Sequence, residues 1–146
     1  MATNTREIQA GTDKVWAVLC DGWLYPLWVV GATRMREVDQ DWPAVGSRLH
    51  HSFGTWPIVI DDDTVVLDCD PERRLRLKAR GWPMGEAEVT ITLTQSGTTT
   101  QVEISEQAVS GPGALLPKIV ETPMITWRNS ESLRRLALVA ENRKSG

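Results

Sequence analysis

A carboxylate and an imidazole placed on the buried side of a strand can move protons beside a carbonyl. Two strands of this chain offer that pattern. Val102, Ile104, Glu106 and Ala108 alternate along the last strand, so Glu106 shares a side with two apolar residues. Leu49, His51 and Phe53 alternate in the same way on an earlier strand. An unpaired buried carboxylate is costly, so an inward Glu106 needs a partner, a hydrogen bond or water. Glu106 and His51 are therefore the candidate catalytic pair, with proton transfer as their chemistry. Two blander readings stay open. Glu106 could sit at the sheet edge or bond a backbone amide, and His51 could be a hydrogen-bonded core histidine.

The segment that must complete such a site is the long one from Pro123 to Arg143. Thr122-Pro123 reads as an N-cap followed by proline at the first helical position. About twenty residues without Gly or Pro then give a helix of about 30 Å. Its expected core face collects Thr126, Asn129, Ser130, Leu133, Leu136, Ala137 and Ala140. The C-terminal half of that face is apolar and the N-terminal half is polar. A face that changes character halfway suggests a dry core at one end and a wet cavity at the other, against the alternative that the polar half faces solvent. Glu131 and Arg135 have the spacing of an i, i+4 ion pair, and Arg128, Arg134 and Arg135 read as a solvated face. A second stripe, Val120, Met124, Trp127 and Leu138, faces away from the first and suits either intrachain cover or a homodimer contact.

Before that helix the chain reads as one strand, two short helices and a run of strands. Thr3 to Gln9 is the first strand. Gly11-Thr12-Asp13 opens a helix carrying Val15, Trp16, Val18 and Leu19, and Leu24 to Val30 is a second helical piece with Pro26 inside it. Strands follow over Arg34–Asp39, Ser47–Phe53, Ile58–Cys69, Arg73–Ala79, Ala87–Thr94 and Thr99–Val109. Asp61-Asp62-Asp63 is expected to bulge or bend the third of these. Pro117 and Pro123 are expected to divide the helical end, leaving Ala114 to Glu121 as a separate turn. Short turns and period-two alternation mean an antiparallel sheet with one face buried. The class is α+β, a single domain over residues 1–146. A curved sheet needs filling on its concave face, and only the last helix is long enough. The expected cavity is bounded by Thr126, Asn129 and Ser130 and by Leu77, Val89, Ile91, Val102 and Ile104. Trp23, Trp28, Trp56 and Trp82 are candidates for its mouth, as pocket walls or as core plugs.

Composition narrows the function classes. The 146 residues are 41% hydrophobic and 24% charged, ordinary for a soluble globular domain. A net charge of −3 argues against nucleic acid as a partner. No stretch suits a signal peptide or stable membrane insertion, so a cytoplasmic protein is expected. Cys20 and Cys69 lack metal or redox spacing and read as free thiols. His50 and His51 point to opposite faces, and the three aspartates lack a calcium-loop pattern, so no metal and no cofactor are expected.

The element order resembles the helix-grip fold of the START and pollen-allergen-like superfamily. The resemblance reaches particular residues: Ile8-Gln9-Ala10 leading into Val15-Trp16-Ala17-Val18-Leu19, then Tyr25-Pro26-Leu27-Trp28, Gly46-Ser47-Arg48-Leu49-His50-His51, Asp70-Pro71, Ser110-Gly111-Pro112 and Arg128-Asn129-Ser130-Glu131-Ser132-Leu133. In this order, from about Thr3 to Glu141, they are similar to the bacterial polyketide cyclase/dehydrase and lipid-transport branch, the SRPBCC proteins. The resemblance implies a cavity between sheet and helix, and no fixed catalytic set. Three functions follow as expectations: a carrier or sensor of an apolar or aromatic small molecule, a cyclase- or dehydratase-like enzyme using Glu106 and His51, or a partner-binding protein with a vestigial cavity. The first has the broadest support in the residues.

Overall fold

The computed structural model describes residues 2–29, 32–55, 58–81, 85–110 and 118–142. Seven strands form one antiparallel sheet: β1 (Ala2–Ile8), β2 (Ala32–Val38), β3 (Arg48–Thr55), β4 (Ile58–Asp70), β5 (Arg74–Gly81), β6 (Gly85–Ser96) and β7 (Thr99–Ser110). The order across the sheet is β1-β7-β6-β5-β4-β3-β2. Every neighbour after the first crossing is a sequential hairpin partner, and β1 closes onto β7 instead. The sheet is curved and does not close into a barrel. Helices α1 (Thr12–Cys20) and α2 (Tyr25–Trp28) lie between β1 and β2, joined by a 3-10 turn at Gly22–Leu24, and α3 (Lys118–Asn142) ends the chain.

Register explains which side chains meet. Leu75 pairs with Ile91 and Leu77 with Val89 between β5 and β6. Val89 pairs with Glu106, Ile91 with Ile104 and Leu93 with Val102 between β6 and β7. Paired residues point to the same face, so these form continuous rows across one side. Leu75, Leu77, Ile91, Leu93, Val102 and Ile104 are buried on it. The other side carries a charged ladder. Arg74 bonds Asp68 at 2.5 Å, Arg76 bonds Glu88 at 2.6 Å and Lys78 reaches Glu86 at 3.1 Å. This is the alternation expected of a sheet buried on one face only.

Helix α3 lies against β1, α1, α2 and β7. Leu133, Leu136, Ala137 and Ala140 are buried in the core with Ile8, Val15 and Val18. Full burial of a leucine stabilises by roughly 1.5–3 kcal/mol, so Leu133 and Leu136 anchor this contact. Glu141 fixes the far end by accepting a hydrogen bond from the backbone N–H of Gln9 at 2.8 Å. Gly22 is required by close approach: a Cβ there would collide with Leu49 and lie 2.8 Å from Val38 Cγ1.

Two local expectations are corrected. Asp61-Asp62-Asp63 does not bend the chain. These residues continue β4, opposite Ser52, His51 and His50, and the register shift falls later, between Val66 and Asp68. The negative run is tolerated because Arg48 pairs with Asp63 at 2.7 Å. Pro123 does not start the last helix, nor does it divide it: α3 begins at Lys118 and runs through Pro123. The proline has no N–H for the carbonyl of Ile119, which is one lost hydrogen bond near a helix end. Ala114 to Pro117 lie outside the described residues.

Candidate functional site

The concave face is apolar along most of its length and polar where α2, β4, β7 and the first half of α3 converge. Glu106 sits there with 7% of its surface exposed. Its partner is Arg128 of α3, whose guanidinium bonds the Glu106 carboxylate directly. Arg128 was expected on the solvated helix face, and this is a further correction. Arg128 projects about 100° away from Asn129, on the flank of the buried face. From there its long stem reaches β7 while the side chain stays 40% exposed.

Tyr25 forms the adjoining wall. It is buried, its hydroxyl is hydrogen-bonded with Thr64, and its ring meets Trp28 edge-on at 5.6 Å between centroids. Burial pushes the phenol up from its ordinary range. Thr64 and the positive charge of Arg128 oppose that shift, and the negative charge of Glu106 adds to it. Pro26 at the second position of α2 fits a helix start, where its missing N–H costs nothing, and so helps hold Tyr25 at the first position. Thr64 reaches the site because it pairs with Ala79 two residues from the Val66–Leu77 pair, on the buried side of β4.

Asn4 and Asn129 complete the polar end. Asn4 pairs with Ile104 across β1 and β7 and donates its side-chain amide to the Thr126 carbonyl at 3.1 Å. Asn129, one turn further along α3, is 5% exposed. Its Nδ2 is buried without a hydrogen-bond partner, as is Oδ1 of Asn4. Buried amide atoms are usually satisfied; these two exceptions are an acceptor on Asn4 and a donor on Asn129.

The other expected site residues divide. Leu77, Ile91, Val102 and Ile104 are buried in the apolar rows, with Val89 half-buried beside Glu106. Trp28 is buried, and its place is in the core against Tyr25. Thr126 is half-buried. Ser130 is exposed, so the expectation that it bounds the cavity is corrected. It lies about 100° from Asn129, and the inward face is turned the other way, toward buried Ser132. His51 pairs through its backbone with Met35 and Asp62; its side chain lies outside the described residues, as do Trp56 and Trp82. Trp23 is exposed, and in the outer stripe of α3 Trp127 and Leu138 are 68% and 47% exposed. The side chains of Val120 and Met124 lie outside the described residues. Among the described residues no group of three or more His, Cys, Asp or Glu side chains is placed to hold a metal ion. No helix is long and apolar enough to cross a membrane.

Tyr25, Thr64 and Arg128 were missed by sequence reasoning. A signal existed for Thr64, which alternates with Val66, but the expected break at the aspartates hid it. The arginine gave none, since its partner lies on another element.

A curved, unclosed antiparallel sheet with a long C-terminal helix against it, and two short helices between its first two strands, is a helix-grip fold. The chain belongs to the family described as polyketide cyclase / dehydrase and lipid transport, whose model matches residues 2–141. Solved structures agree on the fold. Protein NE0264 from Nitrosomonas europaea superposes with a TM-score of 0.73 at 16% identity, over 95% of this chain and 92% of that one. TTHA0849 from Thermus thermophilus gives 0.72 at 20% identity, over 99% of both chains. StfQ, a di-domain ARO/CYC from the steffimycin biosynthetic pathway, gives 0.72 at 13% identity over 97% of this chain, which spans about half of that protein's length. No protein with a curated functional description matches this chain.

Proposed function

We propose that this protein binds an apolar or aromatic small molecule, lipid- or polyketide-like, between the sheet and α3, and acts as a carrier or sensor. The observation that carries this reading is the division of one face. Apolar rows from β5, β6 and β7 run into a polar end made by Glu106, Arg128, Asn129 and Tyr25. Apolar walls with a few convergent polar groups are the usual lining of a small-molecule site. Family membership supports the same reading. Native mass spectrometry of the purified protein should find a co-purifying small molecule, and a hydrophobic fluorescent probe should bind the wild type but not Val89→Trp. Equal probe binding by both would place the ligand elsewhere.

A second reading, a cyclase- or dehydratase-like enzyme, is favoured by one observation: a carboxylate, a guanidinium and a buried phenol stand together at Glu106, Arg128 and Tyr25. In that reading Glu106 moves the proton and Arg128 holds it in place. Glu106→Gln should then abolish turnover and spare ligand binding. A carrier shows binding without turnover in either form.

A further inference from the structure

We propose that Cys20 and Cys69 form a dithiol site, which a low-molecular-weight disulfide oxidises to a Cys20–Cys69 bridge that pins the end of α1 to β4. The two residues lie far apart in sequence, and both are free and half-buried.

The fold brings them to one end of the sheet. α1 starts at β6, where the Thr12 N–H donates to Oε1 of Gln95 at 3.0 Å. It ends beside the β2–β3 connection, where Nε1 of Trp42 donates to the Leu19 carbonyl at 3.1 Å. Just past Cys20, a Cβ on Gly22 would collide with Leu49 of β3. The 9 residues of α1 rise about 13 Å, close to three strand spacings of about 4.8 Å. Between β6 and β3 lie β5 and β4, so α1 crosses both and its last turn reaches β4. The β2–β3 connection also holds that end of β4. The Gly46 N–H donates to the Val66 carbonyl at 2.9 Å, and the Val66 N–H donates to the Ser47 carbonyl at 3.0 Å. Cys69 follows on β4, paired with buried Leu75. Paired residues share a face, so Cys69 is on the side that α1 covers. It packs against the core that holds Val15, Val18 and Leu19 of α1.

The two sulfurs also act on each other. The nearness of Cys69 raises the Cys20 thiol more than the direct hydrogen bond from the Trp16 indole lowers it. Two neighbouring thiolates repel, and a disulfide removes both charges together. Asp68 and Asp70 act on Cys69, and Glu72 acts on Cys20, so a cationic disulfide meets the more favourable field. In the first step one cysteine thiolate attacks a sulfur of the small disulfide. That S–S bond breaks, and one small thiol leaves with the electron pair and the proton that the cysteine gave up. The second cysteine then attacks the protein sulfur of the mixed disulfide and releases the second small thiol in the same way. The protein loses two electrons and two protons, and the small disulfide becomes two thiols.

The test equilibrates the full chain with cystamine and cysteamine at pH of about 8.5, starting from the reduced and from the oxidised protein, in buffer and in urea. Samples are quenched with acid and weighed intact by mass spectrometry. Cys20 and Cys69 are the chain's 2 cysteines, so a monomer lighter by two hydrogens is the bridged form. A bridge that suits the fold stabilises it, and by linkage the folded chain should be oxidised more readily than the unfolded one. The equilibrium constant for bridging should be at least about tenfold larger in buffer than in urea. An equal or smaller constant in buffer overturns the proposal, because the fold then does not hold the thiols together. Cysteamine retained on both cysteines, disulfide-linked dimers in place of the bridge, or an oxidised chain that does not refold would each overturn it as well.

Discussion

Arg128 of α3 holds the carboxylate of Glu106 on β7, tying the helix to the sheet where the concave face is most polar. The two ends of the pair are not equivalent. Glu106 is nearly enclosed, whereas Arg128 keeps a path to water. Arg128→Met should therefore cost more than Glu106→Gln, about 2–3 against about 1 kcal/mol, since the first leaves an uncompensated buried charge. Partial exposure of Arg128 keeps these below the values for fully buried pairs. Urea unfolding of both single variants and the double variant measures the coupling. Additive losses would show that the pair contributes nothing.

Gly22 should tolerate no side chain. Gly22→Ala forces a methyl group against Leu49 and Val38, and overpacking of this kind typically costs about 1–3 kcal/mol. A fall in the urea midpoint is expected. An unchanged midpoint would mean that the 3-10 turn moves freely away from β2 and β3.

The β4–β5 turn carries a removable cost. Glu72 has φ of 64°, in the left-handed region that disfavours side chains. Glu72→Gly should raise stability by about 0.5–1 kcal/mol, once the greater freedom of glycine in the unfolded chain is subtracted. A higher melting temperature is the readout, and a lower one would show that Glu72 makes contacts that outweigh its backbone.

Acid should act on α3 through Glu131. Side-chain hydrogen bonds from Arg134 and Arg135 hold its carboxyl down from 4.5 to about 2. A depressed folded value means that the contribution is complete above the unfolded value of about 4.5 and is lost as pH falls toward about 2. The stability difference between wild type and Glu131→Gln should hence be constant above pH of about 5 and shrink below it. A difference that does not change with pH would refute the linkage.

Cys20 should be a slow thiol. Burial, and then the proximity of Cys69, push it up to about 11, against a weaker opposing hydrogen bond with Trp16. The thiolate is the nucleophile, so alkylation by iodoacetamide should lag far behind that of a free cysteine at pH 8 and keep accelerating toward pH 11. Rapid modification of Cys20 at pH 8 would contradict the buried setting.

What the residues alone determined was the architecture. Strict alternation in Arg74–Ala79 and Ala87–Thr94 leaves one way to bury a strand face, and the apolar positions Leu133, Leu136, Ala137 and Ala140 mark which side of the C-terminal half of the last helix must be covered; all four are buried as expected. Periodicity is a property of neighbours in sequence, and so it is visible there. Inward Glu106 followed from the same alternation. The partner of Glu106 did not. Arg128 sits 22 positions away on another element, and its reach to β7 depends on how far α3 is rotated about its axis. The same rotation, set by packing against β1, α1 and α2, exposed Ser130 and buried Ser132. A helical wheel fixes angles between residues but not the zero from which they are measured. Only the tertiary packing supplied that zero, and with it the grouping of Tyr25, Thr64, Glu106 and Arg128.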